Sequence, residues 1–211
     1  MSVGRMIICD DCVREGAAWL AQRDDRLAAA LVETGPLPLR LRPDGFEQLQ
    51  SAIISQQVSV ASANAISQRM REAGLIDPER VARASDDDLR AVGLSRQKMR
   101  YVRALAAADI DYAALREIPS DQVVKLLTQV PGIGVWTAEI YAMFSLGRAD
   151  VFAPGDLALQ EAARILYELP DRPKDRAFRE MAVCWSPWRS VAARILWAYY
   201  RVVTERRGIS D

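Results

Sequence analysis

The sequence predicts an all-α fold, on three observations. Apolar residues recur at helical spacing along most of the 211 residues. Alternating apolar and polar runs that would read as strands are nearly absent. Several apolar runs begin on capping residues: Asp77 before Pro78, Ser85 before Asp86, Asp87 and Asp88, and Ser120 before Asp121. With 50% hydrophobic residues, a chain of this length buries a sizeable core, as one domain or two small ones.

In chain order, the pattern predicts a first helix over 19–31. Pro36, Pro38 and Pro43 then make 35–43 an extended linker between that helix and the body. Helical spacing over 46–70 fits one long helix or two. Short helices follow at 78–84, 86–92 and 113–116, with longer ones at 97–108, 121–129, 136–145, 156–167, 174–184 and 188–206. The division expected is an N-terminal helix and linker over 1–45, packing on a core formed by 46–211.

Composition removes several functions. The chain has no histidine, so a histidine general base, a histidine triad and a histidine-held metal are excluded. Chemistry must fall to carboxylates, Tyr, Lys, Ser or the backbone. Cys9 and Cys12 form a Cys-x-x-Cys pair and Cys184 stands apart, too few soft ligands for a zinc or iron–sulfur site. No βαβ pattern surrounds the pair, which favours plain thiols over a redox motif. No long apolar span and no cleavable leader occurs, so a cytoplasmic protein is expected, nucleoid-associated if bacterial.

Charge argues against a broad basic surface. Lys and Arg number 28 and Asp and Glu 28, for a net charge of zero. The acids concentrate at Asp86, Asp87 and Asp88. The basic residues gather at Arg96, Lys98, Arg100 and Arg103, and again at Arg189, Arg194, Arg201, Arg206 and Arg207. Solvated helix faces are the plain account of both groups.

One stretch carries more specific information. Pro131, Gly132 and Gly134 interrupt an apolar run ending at Leu126 and Leu127, and a second helical run starts at about Trp136. Helix, tight turn, helix is the local expectation. Glycines on both sides of Ile133 leave backbone N–H groups facing outward at a helix N-terminus, which suits a phosphate oxygen. Ile133 would point inward and pin the turn. An ordinary helix–helix corner accounts for the same tetrapeptide equally well. Upstream, Leu89 to Lys98 and on to Leu105 repeats the layout of helix, glycine-containing turn, helix, without the proline or the second glycine. It is a second backbone contact or a packing corner.

Four motifs in order then resemble a known family. They are Ala52 to Ser59, the turn from Pro131 through Trp136 and Thr137 to Ala138, the segment from Asp150 to Asp156, and Trp188, Arg189 and Ser190. Together they resemble the helix-hairpin-helix DNA glycosylases, in particular the DNA-3-methyladenine glycosylase II group, over Phe46 to about Tyr200. The resemblance implies two helical subdomains flanking a cleft, with the hairpin on one rim and an acid in the cleft. Some relatives carry a further N-terminal β-rich domain; about forty residues before the core are too few for it, so a short form is expected.

The resemblance also implies site residues. Asp156 matches the catalytic aspartate, whose carboxylate would stabilise positive charge on the sugar and orient or deprotonate water; its plain alternative is a helix N-cap. Gln57 stands at the base-flipping wedge, often leucine in the family, and Gln56 beside the flipped base. Trp197, Trp136 and Tyr141 are expected at the substrate pocket, with core packing the alternative for each and the stronger one for Tyr141. Pro131, Gly132, Ile133, Gly134, Val135, Thr137 and Arg189 are expected at DNA. No cofactor is required; a monovalent cation at the hairpin's backbone carbonyls is the one ion the motif admits. The partner expected is double-stranded DNA containing alkylated bases, bound by a monomer.

A purine methylated on N3 or N7 already carries positive charge and leaves without a strong general acid, which suits a site without histidine. Related glycosylase/lyases have a Schiff-base lysine after the hairpin, where this chain has Trp136. The expectation is therefore monofunctional hydrolysis leaving an abasic site. The rivals are a bifunctional glycosylase of the endonuclease III type, a non-catalytic hairpin DNA-binding protein, and a generic helical interaction protein.

Overall fold

The computed structural model describes residues 3–206; Arg207 lies outside them. Twelve α-helices occur among the described residues: α1 (Asp10–Ala21), α2 (Asp25–Thr34), α3 (Phe46–Ser55), α4 (Val60–Glu72), α5 (Pro78–Arg83), α6 (Asp86–Ala91), α7 (Arg96–Ala107), α8 (Ser120–Leu127), α9 (Val135–Phe144), α10 (Leu157–Leu166), α11 (Asp175–Met181) and α12 (Arg189–Arg206). The β structure among them is an isolated bridge between Met6 and Arg148. The all-α expectation holds, and 35–43 is non-helical as expected.

Two elements differ from expectation, 19–31 and the start of α8, and the open choice over 46–70 resolves to two helices, each for a local reason. The first helix is two, because the polar run Gln22 to Arg26 interrupts the apolar spacing and the Asp24 carboxylate accepts the Arg26 and Leu27 N–H groups, both at 3.1 Å, starting a new helix. The long 46–70 run is also two helices. Gln57, at φ 56°, turns the chain between α3 and α4, and Ser59 caps α4 through the Ser62 N–H. Ser120 is not the cap of α8 but its first residue; the extended Pro119 precedes it and no side chain caps that helix. The Asp77 cap is present, and Ser85 and Asp88 form a reciprocal capping box.

The chain divides into two compact units. One is Arg42–Tyr141, and the other joins the described residues up to Leu41 with those from Ala142 onward. The first unit packs Leu49, Ile53, Met70, Val81, Val102, Val123 and Leu127 into its core. The second is assembled from both ends of the chain. In it Phe152 meets Phe178 and Trp185 edge to face, at 4.9 and 5.4 Å between centroids. Asp24 anchors this cluster as well, accepting the Tyr167 hydroxyl at 2.5 Å and the Trp185 indole N–H at 3.2 Å. Gly16 lets α1 lie against Trp188, since a Cβ there would sit 2.6 Å from the ring.

The basic residues are not uniformly solvated. Arg194 is 1% exposed; its guanidinium donates to the Ser190 and Leu39 carbonyls and lies over the Phe144 ring at 4.7 Å. Burial draws its pKa down to about 10. Arg103 donates to the Ala84 carbonyl and the Asp86 carboxylate, and Lys98 donates its ammonium to the Ile54 carbonyl from a site 9% exposed. These three cations bond to carbonyls and a carboxylate of neighbouring elements and hold them together.

Candidate functional site

The hairpin lies in the first unit. Thr128 ends α8, returning its hydroxyl to the Val124 carbonyl at 2.8 Å, and two tight turns follow, with Val130 N–H donating to Leu127 and Ile133 N–H to Val130. Gly132 has φ +95°, and a Cβ on it would stand 2.5 Å from the Tyr101 ring. Both its conformation and its neighbour demand glycine. Gly134 differs: nothing lies within 4 Å of where its Cβ would be, so this backbone faces open space at the start of α9. Ile133 is 4% exposed and plugs the turn, as expected.

Residues around the turn separate into outward and inward sets. Pro131 is exposed, and Val135 and Trp136 are 49% and 47% exposed, so Trp136 is not core. Thr137 is 7% exposed; its side chain supports the helix start instead of facing solvent. Tyr141 is 3% exposed and its hydroxyl accepts the Gly45 N–H at 2.9 Å, while burial pushes its pKa up to about 12.

Three turns of this unit are fastened to one another. Gln56 donates its amide to the Gly132 carbonyl at 2.9 Å. Tyr101, from α7, lies under Gly132 and accepts the Gln97 amide at 2.8 Å. Lys98 reaches the last turn of α3. The exposed Gln57, Val58, Ser95 and Gln97 border a hollow of about 260 Å³ between the α3–α4 turn and the start of α7. Gly93, before that start, has φ +96°. The sequence placed Lys98 in a basic group and gave Tyr101 no role; the layout shared by 89–105 and the hairpin was the further signal near them.

Asp156 lies in the second unit, at the start of α10. The turn through Pro154 and Gly155 closes with the Asp156 N–H on the Ala153 carbonyl at 3.1 Å. The Oδ1 of Asp156 then accepts two donors, the Leu159 N–H at 3.0 Å and the Trp197 indole N–H at 3.1 Å. The carboxylate is thus an N-cap and also a group held from α12 by a half-buried tryptophan, itself stacked on Phe144 at 5.7 Å.

The nearby acid Asp150 is committed elsewhere. Arg189 grips it with two bonds, Nε to Oδ1 at 2.6 Å and Nη2 to Oδ2 at 3.0 Å, and Ser186 adds a third at 2.8 Å. Burial pushes this carboxyl up, yet the Arg189 and Ser186 bonds outweigh it and hold the group below the usual carboxylate range. Arg189, expected at DNA, has its guanidinium paired with Asp150 while its side chain stays 29% exposed. Ser190 donates to the Arg148 and Val151 carbonyls. The late Trp188–Ser190 motif thus buttresses the segment that leads to Asp156.

Among the described residues no cluster of three or more metal-ligating side chains occurs, and no helix is long and apolar enough to cross a membrane. Residues 50–187 match the family described as HhH-GPD superfamily base excision DNA repair protein. A DNA-3-methyladenine glycosylase 1 of Schizosaccharomyces pombe is 31% identical over 166 residues, covering 74% of this chain and 72% of that protein. The solved structure of a DNA-3-methyladenine glycosidase from Bacillus halodurans superposes with a TM-score of 0.79 at 35% identity, covering 88% of each chain. A 3-methyladenine DNA glycosylase of S. pombe in complex with abasic DNA gives a TM-score of 0.74 at 28% identity, covering 87% of this chain and 95% of that one.

Proposed function

Since this chain belongs to the HhH-GPD superfamily of base excision DNA repair proteins, we propose that it is a monofunctional DNA glycosylase releasing alkylated purines, 3-methyladenine and 7-methylguanine foremost, from duplex DNA. Hypoxanthine and ethenoadenine are further substrates to be tried. The observation that carries the reading is Asp156, a carboxylate held on one oxygen by a helix-start N–H and an indole N–H. A fixed anion of this kind stabilises positive charge without reorganising as the charge develops.

The chemistry runs as a dissociative displacement. The damaged nucleotide leaves the base stack, with Gln57, exposed on a left-handed turn, entering the gap and Gln56 beside the base. The glycosidic C–N bond breaks, its electron pair goes to the already cationic purine, and the sugar becomes oxocarbenium-like. Asp156 stabilises that cation and directs water onto it. Trp136, exposed in the first unit, and Trp197, half-buried in the second, are each a π surface suited to an electron-poor base. Pro131, Gly132, Gly134 and Val135 present backbone to the phosphates, and the start of α7 adds a second contact through Ser95 and Gln97. Tyr141 and Arg189 act from within the protein, as supports. The protein works as a monomer on the cell's own DNA.

Trp136 stands after the hairpin where glycosylase/lyases have a Schiff-base lysine, which favours hydrolysis without strand scission. Incubation with methylated duplex DNA, followed by chromatography of released bases, tests the reading. Free 3-methyladenine or 7-methylguanine is expected, and neither strand cleavage nor a borohydride-trapped covalent complex. Absence of both free bases overturns it.

A further inference from the structure

Cys9 and Cys12 take no part in the site above, and their arrangement is specific. Their Sγ atoms lie 3.6 Å apart. Cys9 is the extended residue before α1, with φ −154° and ψ 171°, and Cys12 stands in the first turn, its N–H on the Cys9 carbonyl at 3.1 Å. Cys9 is exposed and Cys12 partly so. A disulfide needs its sulfurs at about 2.05 Å, and with Cys9 just before α1 and Cys12 in its first turn the 3.6 Å gap is one that side-chain rotation can close.

The support beneath the pair is firm on both sides. Ile7 is fully buried and its N–H reaches the Gly147 carbonyl at 2.7 Å, while the Ala149 N–H reaches Arg5 at 3.0 Å. After the pair, Val13 is 2% exposed and Gly16 seats α1 on Trp188. The two thiols are therefore presented by an anchored turn. Cys12 is also acidified: a hydrogen bond from the Ile8 backbone, with lesser help from the Cys9 side chain and backbone and the Arg5 charge, outweighs the opposing effect of burial. Cys184 is the contrast: burial pushes its thiol up, and it donates to the Met181 carbonyl.

We propose that Cys9 and Cys12 form a redox-active dithiol, a modification site that exchanges reversibly with low-molecular-weight disulfides. The Cys12 thiolate attacks one sulfur of the small disulfide, forming a mixed disulfide and expelling the first small thiolate. Cys9 gives up its proton and attacks the Cys12 sulfur, closing the intramolecular bond and expelling the second. Two electrons pass from the dithiol, and one small disulfide becomes two thiols. Excess small thiol runs both steps backward.

The test uses the whole protein equilibrated with reduced and oxidised glutathione at graded ratios, quenched by alkylation and read by mass spectrometry. The expected product has lost two hydrogens within the Cys9–Cys12 peptide, carries no lasting glutathione there, and reverts with excess reduced glutathione. Cys184 in the same sample takes up single glutathione adducts instead. Cys9→Ser is expected to trap glutathione on Cys12, and Cys12→Ser to slow the remaining thiol roughly tenfold. Circular dichroism on each variant keeps folding separate from reactivity. Alkylation of both thiols at every ratio overturns the proposal, and so do stable glutathione adducts on both or a Cys9→Ser protein that captures none.

Discussion

Asp156 does two things with one oxygen: it terminates the backbone of α10 and it receives Trp197. Substitution can separate these roles. Asn is nearly as good an N-cap as Asp, so Asp156→Asn is expected to keep the melting temperature and DNA affinity while base release falls by about a hundredfold or more. Unchanged turnover would remove Asp156 from the chemistry. Trp197→Phe keeps an aromatic ring against Phe144 but loses the indole donor; a smaller fall in rate, roughly tenfold, is expected in single-turnover assays. Asp150 gives a pH signature. Its carboxyl lies below its unfolded value, so its stabilisation is present above the unfolded carboxylate range, about pH 4, and disappears as pH falls through the lower folded value. The stability gap between wild type and Asp150→Asn, measured by urea unfolding, should be widest near neutrality and narrow toward about pH 2. A gap that does not change with pH would mean the ion pair with Arg189 contributes nothing.

Among the elements, the hairpin offers two glycines with different reasons to be glycine. Gly132→Ala sets a methyl against the Tyr101 ring at a positive φ, and is expected to destabilise the protein by about 1–3 kcal/mol. Gly134→Ala meets nothing, so its melting curve should be unchanged while binding to undamaged duplex DNA weakens. Fluorescence anisotropy on the Gly134 variant settles it; full retention of affinity would make the turn a packing corner. The hairpin was legible in the sequence because its glycines interrupt an apolar periodicity, and Asp156 because an acid follows a proline and glycine before another such run. The α1–α2 break was not, since the polar residues Gln22 to Arg26 can also form one turn within a continuous helix, and nothing local distinguishes a capping aspartate from an exposed one. The same blindness applies to Arg189. Its partner Asp150 is distant in sequence, and only the fold reveals that the two form a closed pair.

At the scale of the whole molecule, the all-α class and nearly every helix followed from spacing and caps. The grouping of helices did not, because periodicity reports which face is buried but not against what. Net neutrality has a measurable counterpart in binding. With 28 basic residues balanced by 28 acidic ones and Arg103, Arg189 and Arg194 engaged internally, few phosphates can be neutralised. The slope of log affinity against log salt is expected at about −4 or shallower, since each neutralised phosphate adds roughly −0.9. A steep slope would point to a basic surface that the charge count does not suggest. The buried Arg194, finally, bears on how the chain is made. It clasps the Leu39 carbonyl from α12, across 155 residues of sequence. As the polypeptide emerges from the ribosome, α1 and α2 wait for their partner until α12 has been synthesised, whereas 42–141 has all its own contacts much sooner. Loop closure over such a span is slow compared with local helix pairing. The second unit, with the aspartate it carries, therefore matures after 42–141.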